Sequence, residues 1–266
     1  MVEAFACDLD RTLIAEDFVL RPRTIAALRA ARAAGIPVVL ATGRMYRSIR
    51  PYAEAAGITD PVICYQGAVV ADPETDEFLL HEPIPLELAR EAIAAVEAEG
   101  FGLNCYVGDE LYVGRETREA RLYADFQHIP IHAVGSLLAW LEEPPTKLVT
   151  IGEPRLLDEL EGRLKAYFDG QLYISKSLPY FLELASPSVT KGSALAFVSG
   201  RLGFSQKRTV AFGDGENDVE LLEAAGYAVA VANAHERVLA VADFVCPPPE
   251  EEGVAQTIEA SLHSLR

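Results

Sequence analysis

Short apolar runs ending in polar residues alternate with helical stretches closed by glycine at both ends of this chain, and such alternation specifies a parallel sheet covered by helices. A run from Glu3 to Leu9 ends in acids. Pro22 then opens an Ala-rich helical stretch that Gly35 closes, each residue suited to its end of a helix. IPVVLATGR reads as a second strand, and a helix from about Met45 to Ala56 stops at Gly57. PVICYQGAVV reads as a third strand that enters a hairpin through the turn-rich DPETDE. After Pro187 the rhythm returns, with SVTKGSALAFVSGRLG helical, KRTVAFGDG a strand into a loop, and GYAVAVANA another strand.

The middle of the chain follows a different grammar. From about Glu82, helices alternate with strand pairs, and FGLNCYV and ELYVG form a hairpin across Gly108 and Asp109. TKLVTI, QLYISK and YFLELA read as further strands, with helices around Pro85 to Glu99, Thr117 to Gln127 and Arg155 to Phe168. The expected fold class is α/β: a doubly wound, Rossmann-like parallel sheet core with an inserted α+β cap domain. The expected boundaries are 1–82 and 188–266 for the core and 83–187 for the cap.

Composition narrows the partners. With 23 Lys and Arg against 40 Asp and Glu, the net charge is −17, which repels nucleic acid and anionic lipid headgroups alike. A small anionic substrate would have to be met by cations placed locally. Cys7, Cys64, Cys105 and Cys246 are scattered without a C-x-x-C pair and read as reduced core thiols. The N-terminus carries acids and no basic leader, and no apolar run approaches the roughly 20 residues of a membrane span, so a cytoplasmic protein is expected. None of these features bears on the oligomeric state.

Four polar constellations stand where such a sheet places its ligands. Asp8 and Asp10 end the first strand in DLDRTL, where an i, i+2 pair on a strand faces one way. A single D-x-D is expected by chance in so acidic a chain. Thr42, Gly43 and Arg44 follow the second strand, a hydroxyl and an amide suited to an anion, although Thr would serve equally as an N-cap. Lys191 opens a helix, where the macrodipole disfavours a cation unless an anion is at hand. Asp214 and Asp218 lie in FGDGENDVELL, hard oxygen ligands in a glycine loop that suit Mg²⁺. Each alone has a plain structural reading; together they supply the separate parts that phosphoryl transfer needs.

In that order, DLDRTL, ATGR, VTKGSAL and GDGENDVELL resemble the motifs of the haloacid dehalogenase-like phosphatase superfamily. The inserted module resembles the large cap of its Cof-type, subclass IIB members. The resemblance implies a Mg²⁺-dependent phosphatase for small phosphorylated metabolites, such as sugar phosphates or the flavin and pyridoxal cofactor phosphates. It implies Asp8 as nucleophile and Asp10 as the acid and base. Mg²⁺ would be held by Asp8, the Asp10 carbonyl and Asp214, with Asp218 and Asn217 behind it. Thr42, Lys191 and the amides of Leu9, Asp10 and Gly43 would hold the phosphoryl oxygens. Arg11 stands where the family commonly has Gly, and Gln66, with Gly67 and Ala68, where relatives often have Asn-Gly-Ala. Both are expected near the substrate, as is Arg44. The cap would read the leaving group through Lys176, Tyr180 and Glu183. A phosphomutase on the same scaffold, a phospho-accepting signalling domain and a regulatory protein are the alternative readings.

Overall fold

The structure, a computed structural model, describes residues 2–263, with backbone alone for Phe126 and Ser177. It divides into two compact units, Met1–Leu80 with Thr190–Arg266, and His81–Val189. The first segment carries β1 (Ala4–Cys7), α1 (Pro22–Ala33), β2 (Val38–Leu40), α2 (Tyr46–Ala56), β3 (Val62–Cys64), β4 (Val69–Ala71) and β5 (Phe78–His81). The middle segment carries α3 (Leu86–Ala98), β6 (Leu103–Val107), β7 (Glu110–Val113), α4 (Arg118–Gln127), β8 (Ile131–Ala133), α5 (Leu137–Trp140), β9 (Lys147–Ile151), α6 (Pro154–Phe168), β10 (Tyr173–Leu178) and β11 (Phe181–Ala185). The last segment carries α7 (Lys191–Leu202), β12 (Thr209–Gly213), α8 (Val219–Ala224), β13 (Tyr227–Val231), α9 (Glu236–Val241), β14 (Phe244–Cys246) and α10 (Gly253–His263).

The first and last segments build one five-stranded sheet in the order β14-β13-β12-β1-β2. Its pairings are parallel throughout. Small residues on one face, Ala4, Ala6, Ala211, Ala228 and Ala230, let α7, α8 and α9 lie close on the sheet. Period-two alternation sends Phe5 and Phe212 to the opposite face, where their ring centroids are 6.3 Å apart. Both are fully buried, each worth about 1.5–3 kcal/mol relative to exposure. From β1 the chain winds outward to β2 and returns on the other side at β12, so the strand order reverses between β1 and β12. That reversal opens a crevice at the carboxyl ends of the two strands.

PVICYQGAVV is not one strand. Tyr65, Gln66 and Gly67 take φ of 51°, 61° and 106°, and the chain folds back so that β3 and β4 pair antiparallel. DPETDE then turns β4 into β5. The reversal forms where it does because Gly67 lies against the start of α7: an added Cβ would stand 2.3 Å from the Thr190 carbonyl oxygen. Gly67→Ala combines that clash with a left-handed φ and is expected to lower stability by more than about 1 kcal/mol in urea unfolding.

The middle segment forms a six-stranded sheet, β10-β11-β9-β6-β7-β8. Its pairings are antiparallel except β7 with β8. Gly108 and Asp109, at φ 59° and 60°, make the β6–β7 turn that two positive φ values define. One face is packed by α3 and α6 through Ile93, Val96, Leu160 and Leu164 against Cys105, Leu148, Leu182 and Leu184. β8, α5, α8, α9, β14 and α10 had no expectation from the sequence; of these, β8 and β14 are three residues long, α5 is four and α8 and α9 are six, too short for periodicity to register.

Candidate active site

β1 ends at Cys7, so Asp8 is the first residue beyond the sheet. Its amide donates to the Phe212 carbonyl at 3.0 Å, and Phe212 is two residues before Asp214. On the other flank the Ala41 amide donates to the Cys7 carbonyl at 2.9 Å, which brings Thr42 alongside. Parallel register therefore delivers three distant segments to one end of the sheet. The fourth arrives on α7, whose first residue, Lys191, is 1% exposed beneath them. Thr190 caps this helix reciprocally with Ser193, which fixes where Lys191 leaves it.

Lys191 Nζ donates to Asp8 Oδ1 at 2.7 Å and to Asp218 Oδ1 at 2.6 Å. The other Asp218 oxygen accepts from the amides of Asp214 and Gly215, both at 2.9 Å. Both oxygens of Asp218 are thus committed to holding the loop and the lysine. One ligand atom from each of Asp8, Asp214 and Asp218 lies within 4.8 Å of the others, all three side chains being buried. Burial raises the Asp8 pKa, and the Asp218 charge adds to the effect, which Lys191 only partly offsets. Burial and Asp218 likewise push Asp214 up to about 7. Burial by itself would lower Lys191, but the two carboxylates outweigh it and hold the ammonium charged. So many oxygens around a single ammonium leave negative charge uncompensated, and the hard donor set fits a divalent cation.

Thr12 and Arg11 complete the surroundings of Asp214. Thr12 is fully buried and its Oγ1 donates to Asp214 Oδ1 at 3.4 Å, a contact the sequence reading missed although Thr12 lies inside DLDRTL. Arg11 takes a left-handed φ of 61°, lies 3.5 Å from Asp214 Oδ2, and exchanges weak bonds with Asn233. Asn233 lies far along the chain, where nothing in its neighbours marks it.

The strand-alternation argument for Asp8 and Asp10 does not hold, because the strand stops before either residue and alternation has no meaning in the loop beyond it. The two carboxylates instead have separate partners. Asp10 accepts from Arg44 Nε at 2.8 Å and Nη2 at 2.5 Å. Thr42 is not the cap of α2, which begins four residues later behind Met45; its buried Oγ1 accepts from the Arg44 amide at 3.1 Å. Gly43 lies against Gln66, whose Oε1 accepts from Asn217 Nδ2 at 2.8 Å. The longer amide thus links the β3–β4 turn to the acidic loop. Leu9 is buried, and its carbonyl accepts from Leu13 and Ile14, closing the loop on itself.

The three residues expected to read the leaving group are not brought together. Lys176 pairs across β10 and β11 with Leu182, on the face packed by α6, where it forms an ion pair with Asp158. Glu183, one residue on, faces the other way and is 5% exposed, 3.2 Å from the buried Lys147, whose ammonium lies over the Tyr106 ring. Opposite sheet faces cannot line one subsite. Of the three, Tyr180 alone is largely exposed, its ring edge-on to Phe181.

The haloacid dehalogenase-like hydrolase profile matches residues 5–258. Phosphatase YwpJ of Bacillus subtilis is 30% identical over 98% of this chain and 100% of its own. Pyridoxal phosphate phosphatase YbhA of Escherichia coli is 27% identical over 97% of each chain. A haloacid dehalogenase-like hydrolase from Bacteroides thetaiotaomicron shares the fold with a TM-score of 0.90 at 26% identity, over 98% of this chain and 99% of the other. No helix among the described residues is long and apolar enough to cross a membrane. With a match of this extent and an acidic cluster where the strand order reverses, the chain belongs to the haloacid dehalogenase-like hydrolase family, as a phosphoric monoester hydrolase.

Proposed function

We propose that the protein hydrolyses small phosphate monoesters, sugar phosphates or cofactor phosphates, through a phosphorylated Asp8. The observation that carries this reading is the convergence of Asp8, Asp214 and Asp218 on Lys191. Lys191 engages one oxygen of Asp8 and leaves the other to attack phosphorus in line. As that O–P bond forms, the bond to the leaving oxygen breaks and the Asp10 carboxyl gives its proton to the leaving alkoxide. Water then attacks the aspartyl phosphate, Asp10 takes the water proton, and Asp8 is released as a carboxylate. Thr42, Lys191 and the amides of Leu9, Asp10 and Gly43 hold the phosphoryl oxygens, a kind of donor whose loss typically costs about 3 kcal/mol.

The Asp8 and Asp214 side chains and the Asp10 carbonyl would hold Mg²⁺, which would supply the positive charge that lets a carboxylate approach a phosphate dianion. Asp218 and Asn217 stand behind those ligands, and Arg11 lies at the rim, a cation for an anionic substrate in an acidic protein. The pyridoxal phosphate phosphatase relative supports cofactor phosphates as one class.

The test is a screen of phosphate esters with Mg²⁺, reading free phosphate and organic product. Steady phosphate release that stops with EDTA and returns with Mg²⁺ is expected. Turnover undiminished after exhaustive chelation sinks the metal assignment. A sugar phosphate isomer with little free phosphate would make the enzyme a mutase, and a stable phosphoprotein without turnover would make it a phospho-acceptor.

A further inference from the structure

Arg44 follows the phosphate-binding pair Thr42 and Gly43, a position from which it would be expected to meet the substrate. Its guanidinium is instead shut away, with 3% of the side chain exposed, while the Asp10 carboxylate it grips is 35% exposed. The arginine is therefore behind the carboxylate, and Asp10 presents its open side to solvent. Phe18 and Tyr52 stack on the guanidinium, 5.5 and 5.6 Å from their ring centroids. The Tyr52 hydroxyl donates to the Phe18 carbonyl at 3.1 Å, tying the two walls together. Ser48, in the first turn of α2, is 3.5 Å from Nη1. An arginine caged in this way has lost the freedom to follow a substrate, and both forward-facing nitrogens of its fork are spent on one partner.

We infer that Arg44 is a positioning residue for Asp10, its caged two-point grip at 2.8 and 2.5 Å holding the carboxylate in one orientation for both proton transfers. A partly exposed aspartate without such a partner samples several rotamers, and general acid-base catalysis depends on the proton lying within hydrogen-bond reach of its target. A planar fork fixes the plane of the carboxylate as well as its place, which a point charge cannot do. The inference rests on the assignment of Asp10 as acid and base.

The experiment compares Arg44→Gln, Arg44→Lys and Asp10→Asn on a sugar phosphate and on dinitrophenyl phosphate, whose leaving group needs no proton. With the sugar phosphate, Arg44→Gln is expected to lower kcat about 100-fold with KM within about twofold, the scale of a misplaced general acid. With dinitrophenyl phosphate the initial burst of phenolate keeps its rate, and only the later steady state slows, because water attack still needs the base. Arg44→Lys keeps the charge without the fork and falls between; it also carries the test if the glutamine variant does not fold. Equal losses in burst and in sugar phosphate turnover, or a rise in KM that accounts for the loss, overturn the positioning role. So does an unchanged Arg44→Gln beside an impaired Asp10→Asn. If Asp10→Asn itself keeps full turnover of the sugar phosphate, the fault lies with the acid-base assignment and not with Arg44.

Discussion

Asp8→Asn is expected to lower phosphate monoester turnover by about 10⁵-fold, the scale seen when a covalent nucleophile is removed, and to leave the fold in place. The amide nitrogen and oxygen have no charge to bring to phosphorus, so on the proposed mechanism no covalent intermediate would form and the donors around the phosphoryl group would act alone. The fold survives for reasons visible in the site. Asp8 is 4% exposed, and burial and the Asp218 charge already raise its pKa, so removing its charge relieves crowding among the carboxylates. Asn matches its volume, and Lys191 keeps the Asp218 carboxylate at 2.6 Å. The check is phosphate release beside a thermal melt, with a midpoint expected within about 4 °C of the parent, a change of roughly 1 kcal/mol or less. Turnover within tenfold of the parent would remove Asp8 from the nucleophile's role.

Lys191→Met is expected to differ in adding a large loss of stability to the loss of activity. Lys191 is the cation on which Asp8 and Asp218 both depend, and methionine fills a similar space without charge. Breaking a buried pair from one side costs about 3–5 kcal/mol, because the remaining charge is neither paired nor hydrated. The sign with pH follows from the carboxyls. Asp8 and Asp214 have raised pKa values in the folded chain, Asp214 about 7, against about 4 when unfolded. Between those values the folded chain holds protons that the unfolded chain has released, so stability falls as pH rises through that window. The urea midpoint of the parent should therefore drop between pH 5 and pH 8, and that of Lys191→Met should drop further, since protonation is then the chief relief left to the cluster. Adding Mg²⁺ is expected to recover part of the loss at the higher pH, as an ion that binds the folded chain alone would. A variant as stable as the parent across this range would mean that the lysine does not hold the carboxylates together.

The pattern of the chain makes much of this protein legible. Runs such as KRTVAFGDG and IPVVLATGR are short, apolar and capped by polar residues, so β12 and β2 and the residues just past them could be placed. Where patterns were too short or locally ambiguous, reading failed. PVICYQGAVV has the composition of one strand, and nothing within it announces a reversal, which is set by the packing of Gly67 on the Thr190 carbonyl. Lys176 and Glu183 look like companions in the sequence. Sheet pairing sends the first to Asp158 on α6 and the second to Lys147 on the other face.

What the chain alone determined is local: which segments become strands or helices, and which polar residues stand at their ends, because periodicity and end chemistry act between near neighbours. Only the tertiary structure decided the partnerships. That Lys191 serves two carboxylates, that Thr12 meets Asp214, and that Arg44 turns from the expected substrate contact to grip Asp10 all depend on parallel register and buried volume. Those are set by groups tens or hundreds of residues apart, whose mutual distances no local pattern encodes.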